Sequence, residues 1–518
     1  MKTIRTSIFN NVLGPVMRGP SSSHTAAALR IGTIARQLLG EDPKEAVFTF
    51  DPNGSLATTY MGQGSAMGLA GGLLGLSVTD PAISNWKDLC KKAGLKLKFK
   101  IEVFNASHPN TYKAFVTGRQ GAEISFTALS SGGGAIQFTE VNGLPVNFDG
   151  SGYEIIAGLL NLSGRDSMLN SLKTESDNTI IIRESPEFIH FHSSSKLAEP
   201  SLLKSLSKGK DIAWICSCSP VMPVVMNENP QLSYKDIFEF TKLATTKGGR
   251  LSDYAIEYES SVGKIQKEGV LKLSMEYLNV IIDSVETGLK GTTMADRILH
   301  SQSPLIGKAE KAGILIPDSL TNEIIATVSA IMETKSSMGT ILAAPTAGSG
   351  GTIGGVLIPV SRLMNKDNES LSLALLSAGL FGVFIADITG FAAEEGGCQY
   401  ECGAASGMAA AALVELAGGN AITALNAGSL ALQNIIGMVC DPVADRVEVP
   451  CLGKNIMAAL NALASANMVL AGYDPVIPAG EVMEAMKSVG CSMPHELRCT
   501  GKGGLSITPT AQKISKRL

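Results

Sequence analysis

The sequence predicts a multidomain α+β protein. A mixed α/β domain is expected over residues 1–150, a small βαββαβ unit over 151–220, a linker over 221–232 and an all-α domain over 233–518. Three observations carry this reading. At 518 residues the chain is too long for one hydrophobic core. Strand-like alternation is concentrated in the first 220 or so residues, where apolar and polar positions trade places with period two. From Ser233 onward apolar residues recur at helical spacing, with strand-like runs rare.

Each element follows from local pattern. Ala26–Leu39 has helical spacing, and Ala46–Phe50 reads as a strand. Gly62–Gly75 is rich in Gly and Ala. Leu95–Phe104 alternates Leu95, Leu97, Phe99, Ile101 and Val103, as a strand does. Tyr153–Leu160 reads as a strand and Arg165–Leu172 as a short helix. Asn178–Arg183 and Phe188–His192 are strands, Pro200–Ser207 is helical, and Asp211–Cys216 is a strand. That order is a split-βαβ, ferredoxin-like unit. His190 and His192 share one face of their strand, as a two-histidine metal site requires. With no third ligand apparent, a surface pair is expected. The prolines of Pro220–Pro230 mark the linker. Helices are expected over Tyr234–Leu243, Leu271–Leu289, Ser319–Ser337, Leu371–Ile388, Ser406–Leu416, Ala421–Ile436 and Asn455–Ala471.

Composition excludes several function classes. Charged residues make up 17% and the net charge is −4, so nothing offers a basic footprint to nucleic acid. The mean hydropathy is positive, at +0.19, which raises the question of a membrane. The most apolar run, Leu371–Ala386, is shorter than the ~20 residues a span needs, and Asp387 follows it. A buried core helix is therefore expected, and no membrane partner. The nine cysteines are an odd number, and the N-terminus lacks an apolar signal region. Reduced thiols in the cytoplasm are expected rather than a disulfide framework.

Three of those cysteines lie in Gly/Ala/Pro-rich words: GGCQ at Cys398, VCDPV at Cys440 and VPC at Cys451. Three thiolates are one short of the four that close a [4Fe–4S] cluster, and would leave one iron open to a substrate. Three buried cysteines acting as small hydrophobes are the alternative.

The surrounding words resemble the iron–sulfur-dependent L-serine dehydratases, nearly end to end. The N-terminal half carries GPVMRGPSSSHTAAALRIG from Gly14, SHPNT from Ser107 and SSGGG from Ser130. The C-terminal half carries SSMGTILAAPTAGSGGTIGGVL from Ser336, EEGGCQYECGAASGMAAAAL from Glu394, NIIGMVCDPVADRVEVPC from Asn434 and LRCTGKGGL from Leu497. The resemblance implies both family halves, beta and alpha, fused in one polypeptide. Many members of this family carry an amino-acid-sensing ACT domain in the place of the 151–220 unit, and the order of its elements fits one, though its words do not match; a structural spacer of the same topology is the other reading. The resemblance also implies β-elimination of L-serine to pyruvate and ammonia, by an amino-acid-catabolic enzyme that is a cytoplasmic homo-oligomer, a dimer. Cys398, Cys440 and Cys451 match the family's cluster ligands. Some relatives end in a cysteine tail that caps the open iron. This chain ends Ser515-Lys516-Arg517-Leu518, which leaves Cys499 as a substitute cap or an ordinary thiol.

The elimination needs a base for the Cα proton and a stabiliser for the departing hydroxide. No pyridoxal phosphate signature is present. An open iron serves as Lewis acid for the hydroxyl, and imidazole is the side chain poised near neutral pH. His24 and His108 are the candidate catalytic residues, with their assignment as base left open. Ser22, Ser23, Thr25 and Asn110 are candidate substrate contacts, and Ser21–Thr25 can equally cap the helix that follows. Thr346 and Ser349 sit in a Gly-rich turn whose N–H groups can cradle a carboxylate. Arg498 can clamp a carboxylate or cap a helix end, and Lys335 is a further substrate contact. Tyr400, Asp445 and Arg446 depart from the family's usual words beside the ligands. They leave open another β-hydroxy amino acid, or L-cysteine as a desulfidase substrate. A non-catalytic amino-acid-binding regulator is the reading from a different class.

Overall fold

The chain begins its described course by entering the C-terminal core. In this computed structural model, residues 5–518 are described apart from 162, 165, 167, 169–170, 172–178, 186–187, 195–199, 209, 228 and 295–296. Ile8, Phe9, Val12 and Leu13 are fully buried among helices of the C-terminal half. Glu259 holds this segment in place, accepting from Ser7 Oγ at 2.6 Å and from the Ile8 amide at 2.7 Å. Burial pushes the Glu259 carboxyl up to about 7. The chain then forms β1 (Val16–Met17), which pairs antiparallel with Ile341–Leu342.

Six strands follow as one sheet: β2 (Pro43–Phe50), β3 (Lys96–Ile101), β4 (Thr111–Gly118), β5 (Glu123–Gly132), β6 (Ala135–Val141) and β7 (Leu144–Phe148). Their order is β3-β2-β4-β5-β6-β7, parallel only between β2 and β3. β5 alternates buried and exposed residues, as a sheet with one covered face requires. The helix Ala27–Leu39 packs with the helix Ser65–Leu73 at backbone distance. A Cβ on Gly68 would sit 2.2 Å from the Thr25 carbonyl oxygen, and one on Gly72 2.1 Å from that of Leu29. This close approach clamps the turn that carries His24. β3 ends at Ile101, short of the expected Phe104. The Asp51 carboxylate accepts the Phe104 and Ala106 amides and turns the chain into the loop that bears His108.

A second sheet is fully antiparallel, in the order β11-β8-β10-β9. It comprises β8 (Tyr153–Leu159), β9 (Thr179–Ser185), β10 (Phe188–Ser193) and β11 (Ile212–Cys218), with the helix Pro200–Leu206 before β11. The short helix expected over Arg165–Leu172 lies partly outside the described residues. His190 and His192 do not form the expected surface pair. His190 is fully buried, and both rings bind one carboxylate, Glu154, at 2.9 and 2.7 Å. Cross-strand register places Glu154 opposite His192 on one side and Cys218 on the other. Burial alone would raise the Glu154 carboxyl, but its bonds from His190 and His192 outweigh that and hold it low.

The remainder is helical apart from β12 (Ile341–Leu342), the partner of β1. The Pro-rich segment after β11 is fastened down: Asn10 exchanges two bonds with Val224, at 2.7 and 2.9 Å. The next helix, Ile237–Lys247, starts three residues later than expected because Asp236 caps it through the Glu239 amide. Asn368–Ile388 is long and apolar enough to cross a membrane, yet 78% of its most apolar window is buried inside the protein. It packs against the wholly buried, Ala-rich helix Cys402–Leu416, where Gly407 admits the Phe381 ring.

Candidate active site

His24 sits in a wide helical turn, Ser22–Ala26, opened by Ser21, whose hydroxyl accepts the His24 amide. The ring is fully buried. Its Nε2 lies 2.8 Å from Thr59 Oγ1, and the Thr59 hydroxyl already donates to the Ser55 carbonyl at 2.7 Å. Thr59 therefore accepts, Nε2 carries the proton, and the lone pair is on Nδ1. Nδ1 faces Ser23 Oγ at 3.0 Å and Glu394 Oε1 at 3.8 Å. Burial lowers the pKa of this imidazole, against a smaller opposing pull from Glu394, so the ring is neutral.

His108 is arranged differently. Its Nδ1 accepts the Asn110 amide at 3.1 Å, so its Nε2 carries the proton, directed at Glu395 Oε1 3.3 Å away. That bond holds the Glu395 carboxyl below its ordinary range. His108, Glu394, Glu395, Tyr400 and Arg498 line one cavity of about 490 Å³. Thus the two imidazoles come from the N-terminal half, and successive carboxylates on the turn Ala393–Gly396 meet both.

The other expected residues fall into two groups. The Asn110 side chain is fully buried with neither Oδ1 nor Nδ2 partnered, and Ser130 Oγ nearby in the sheet is likewise unpartnered. Ser22 Oγ accepts the Ala347 amide at 3.0 Å, joining the His24 turn to the Gly-rich turn. There Thr346 and Ser349 bond each other at 3.1 Å, and burial pushes neighbouring Glu401 well up. Thr25 Oγ1 is spent on the Gln63 carbonyl at 3.0 Å. Lys335 is fully buried, donates to the Val447 carbonyl and has its pKa lowered by burial. Arg498 lines the cavity but gives its Nε and Nη2 protons to the Met493 and Cys491 carbonyls, as a helix cap does.

The thiols gather close by. Cys398, Cys440 and Cys499 share one buried cluster, with Cys440 in contact with Cys398. That contact, reinforced by the Lys454 ammonium 3.8 Å away, holds the Cys398 thiol below its ordinary range. Lys454 also binds the Val439 carbonyl at 2.7 Å and Asp441 at 2.9 Å, so it fixes the Cys440 loop. Cys451 opens the helix that carries Lys454 and is close enough for the Cys398 charge to act on it. Ala444 and Asp445, between the two cysteines, both take positive φ, at 53° and 54°. Such strain persists only where the surroundings impose it. Among the described residues no three ligating side chains converge on a single-ion site. A four-iron cube instead spreads its thiolates over separate corners. Buried thiols beside a cation, one of them held below its ordinary range, fit a group held that way.

Sequence reasoning missed Glu394, Glu395, Thr59 and Lys454. The two glutamates were visible immediately before GGC, but their partners lie 287 or more positions away and nothing local announces them.

Known proteins resemble this chain in both of its halves. Residues 246–506 match the family described as serine dehydratase alpha chain. The probable L-serine dehydratase alpha chain of Bacillus subtilis is 37% identical over 285 residues, 55% of this chain and 95% of that protein. The probable beta chain of the same organism is 40% identical over 145 residues, 28% of this chain and 64% of that one. L-serine dehydratase TdcG of Escherichia coli is 35% identical over 180 residues, covering 34% of this chain and 40% of that protein. Regions similar to two separate chains thus occur in one polypeptide, and the protein belongs to the serine dehydratase alpha-chain family with alpha and beta regions fused.

Proposed function

We propose that the protein is an L-serine dehydratase. It eliminates water across Cα–Cβ of L-serine; the enamine tautomerises to an imine, which hydrolyses to pyruvate and ammonium. One observation carries this reading. The neutral, buried His24 ring turns its Nδ1 lone pair toward Glu394, four residues before Cys398, whose thiol is held below its ordinary range. A base and a metal-ligating nest are thereby neighbours in a chain that supplies them from opposite halves.

Cys398, Cys440 and Cys451 are the residues proposed to hold a [4Fe–4S] cluster. When bound, it supplies a Lewis-acidic iron that eases departure of the β-hydroxyl. The remaining work falls to side chains. His24 takes the Cα proton on Nδ1, its ring fixed by the Nε2–H bond to Thr59. Oε1 of Glu394 stabilises the imidazolium that results, as a carboxylate beside a histidine base does. His108 has no free lone pair in this arrangement, so it serves as a proton donor or substrate contact. The unpartnered Asn110 carboxamide and the 346–349 turn bind the substrate carboxylate. The strand order of the 151–220 unit supports an ACT-like role for it. A cytoplasmic homo-oligomer acting without pyridoxal phosphate completes the proposal.

The test is anaerobic purification, an absorption spectrum across the iron–sulfur charge-transfer region, and pyruvate formation from L-serine and L-cysteine. A chromophore with faster turnover of serine is expected. Faster release of sulfide from cysteine would make the protein a desulfidase. Loss of both chromophore and turnover would sink the enzyme reading.

A further inference from the structure

Of the buried glutamates among the described residues, Glu394 is an exception. Glu154 binds two histidines. Glu333 accepts from the Gln302 and Ser303 amides and from Ser303 Oγ. Glu415 pairs with Arg250 and accepts from Ser252 and Ser377, and Glu448 accepts from the Ile298 and Leu299 amides. Glu394, with its side chain 3% exposed, has only the Ser23 hydroxyl at 3.4 Å and the neutral His24 ring, both on Oε1. Its Oε2 is buried with no partner, and the residue lines the cavity. Among the described residues no lysine or arginine lies within ion-pair distance of it. A buried carboxylate oxygen without a donor is costly, and this one belongs to a residue that lines a cavity from which a ligand can supply the donor.

We propose that Oε2 of Glu394 receives the α-ammonium of the substrate, and so makes the cavity selective for α-amino acids over the corresponding hydroxy acids. This inference rests on the dehydratase reading given above. One carboxylate then serves two functions: Oε1 addresses the base, and Oε2 holds the nitrogen bonded to the carbon that the base deprotonates. The proton to be removed is thereby placed on the His24 side of the substrate.

The test compares L-serine with 3-hydroxypropanoate, which is serine without its ammonium, on the anaerobically prepared holoenzyme. In the wild type, L-serine should bind at least about 10-fold more tightly, as expected for a charge-assisted hydrogen bond. In Glu394→Gln the serine KM should rise roughly 10- to 100-fold, while inhibition by 3-hydroxypropanoate holds steady or strengthens. Equal wild-type affinity for the two ligands would overturn the proposal without any variant, so a poorly folded Glu394→Gln protein leaves it decidable. Equal weakening of both ligands by Glu394→Gln, or a fall in kcat with KM unchanged, would also overturn it, reducing Glu394 to a positioning residue for His24. A wild type that turns over no β-hydroxy amino acid would remove the functional reading itself, and the inference with it.

Discussion

Two buried collections of histidine, glutamate and cysteine lie in this molecule, and they are built to opposite ends. In the smaller sheet, Glu154 has both oxygens bonded to imidazoles, and neighbouring Cys216 is pushed up to about 12 by burial. Around His24 the bonding is left incomplete. Oε2 of Glu394 is left open, and Cys398 is held low by Cys440 and Lys454. The same residue types thus make a cross-brace in one place and, in the proposal above, a reactive centre in the other. What separates them is whether the carboxylate is closed within the fold: both Glu154 oxygens are bonded, whereas Oε2 of Glu394 is buried without a partner. A buried carboxylate oxygen left open is expensive, and in that proposal the substrate closes it.

The strongest way to break this contrast is to exchange the outcomes of the thiols. Cys440→Ser should abolish both the iron–sulfur chromophore and turnover, whereas Cys216→Ser should leave both intact. A fully active Cys440→Ser protein would put the reactive centre elsewhere. Next in size is the brace. Glu154→Ala strands two imidazoles and should lower stability by about 3 kcal/mol, read as an earlier denaturation midpoint, with kcat per folded molecule kept. An unchanged midpoint would mean that the Glu154 bonds add nothing to stability. The smallest effect is in pH. Because burial lowers the His24 pKa from its ordinary 6.5, the unfolded chain binds the proton more readily. This contribution therefore erodes stability as pH falls below about 6.5 and vanishes above it. His24→Gln should flatten the stability profile between about pH 6.5 and 5, measured by thermal unfolding of the apoprotein. A profile identical to the wild type would mean that the ring is not held neutral.

Much of this was legible in the sequence, in proportion to how local the cause was. The strand read over Ala46–Phe50 and the helical repeat of Leu371–Ile388 are short-range signals, and both fall inside the elements that form, whereas the strands from Thr111 to Phe148 were not read. Element ends were less legible, because single side chains set them: Asp236 delays one helix and Asp51 cuts one strand short. Long-range fits were not legible. Nothing in Ser7–Leu13 announces that it fills a groove among helices more than 200 residues away, closed by Glu259. The histidines and cysteines of the centre stood out through the words around them. The carboxylates that orient the histidines were hidden, since an EE pair reads as surface charge until its partners are placed. His190 and His192 show the converse error: two residues at strand spacing suggested an exposed pair, while their true partner lay on the adjacent strand.

The central claim is that imidazoles from one half and thiols from the other form a single site, in which His24 is the base. Exchange of the substrate Cα proton with deuterium from solvent reads this directly. It should be followed by NMR in anaerobic His24→Ala and His108→Ala proteins whose absorption spectra match the wild type. Both variants should lose turnover by roughly 10²–10⁴-fold, the usual range for a missing acid or base. The account predicts that His24→Ala loses Cα exchange while His108→Ala retains part of it. Exchange at the wild-type rate in His24→Ala would contradict it.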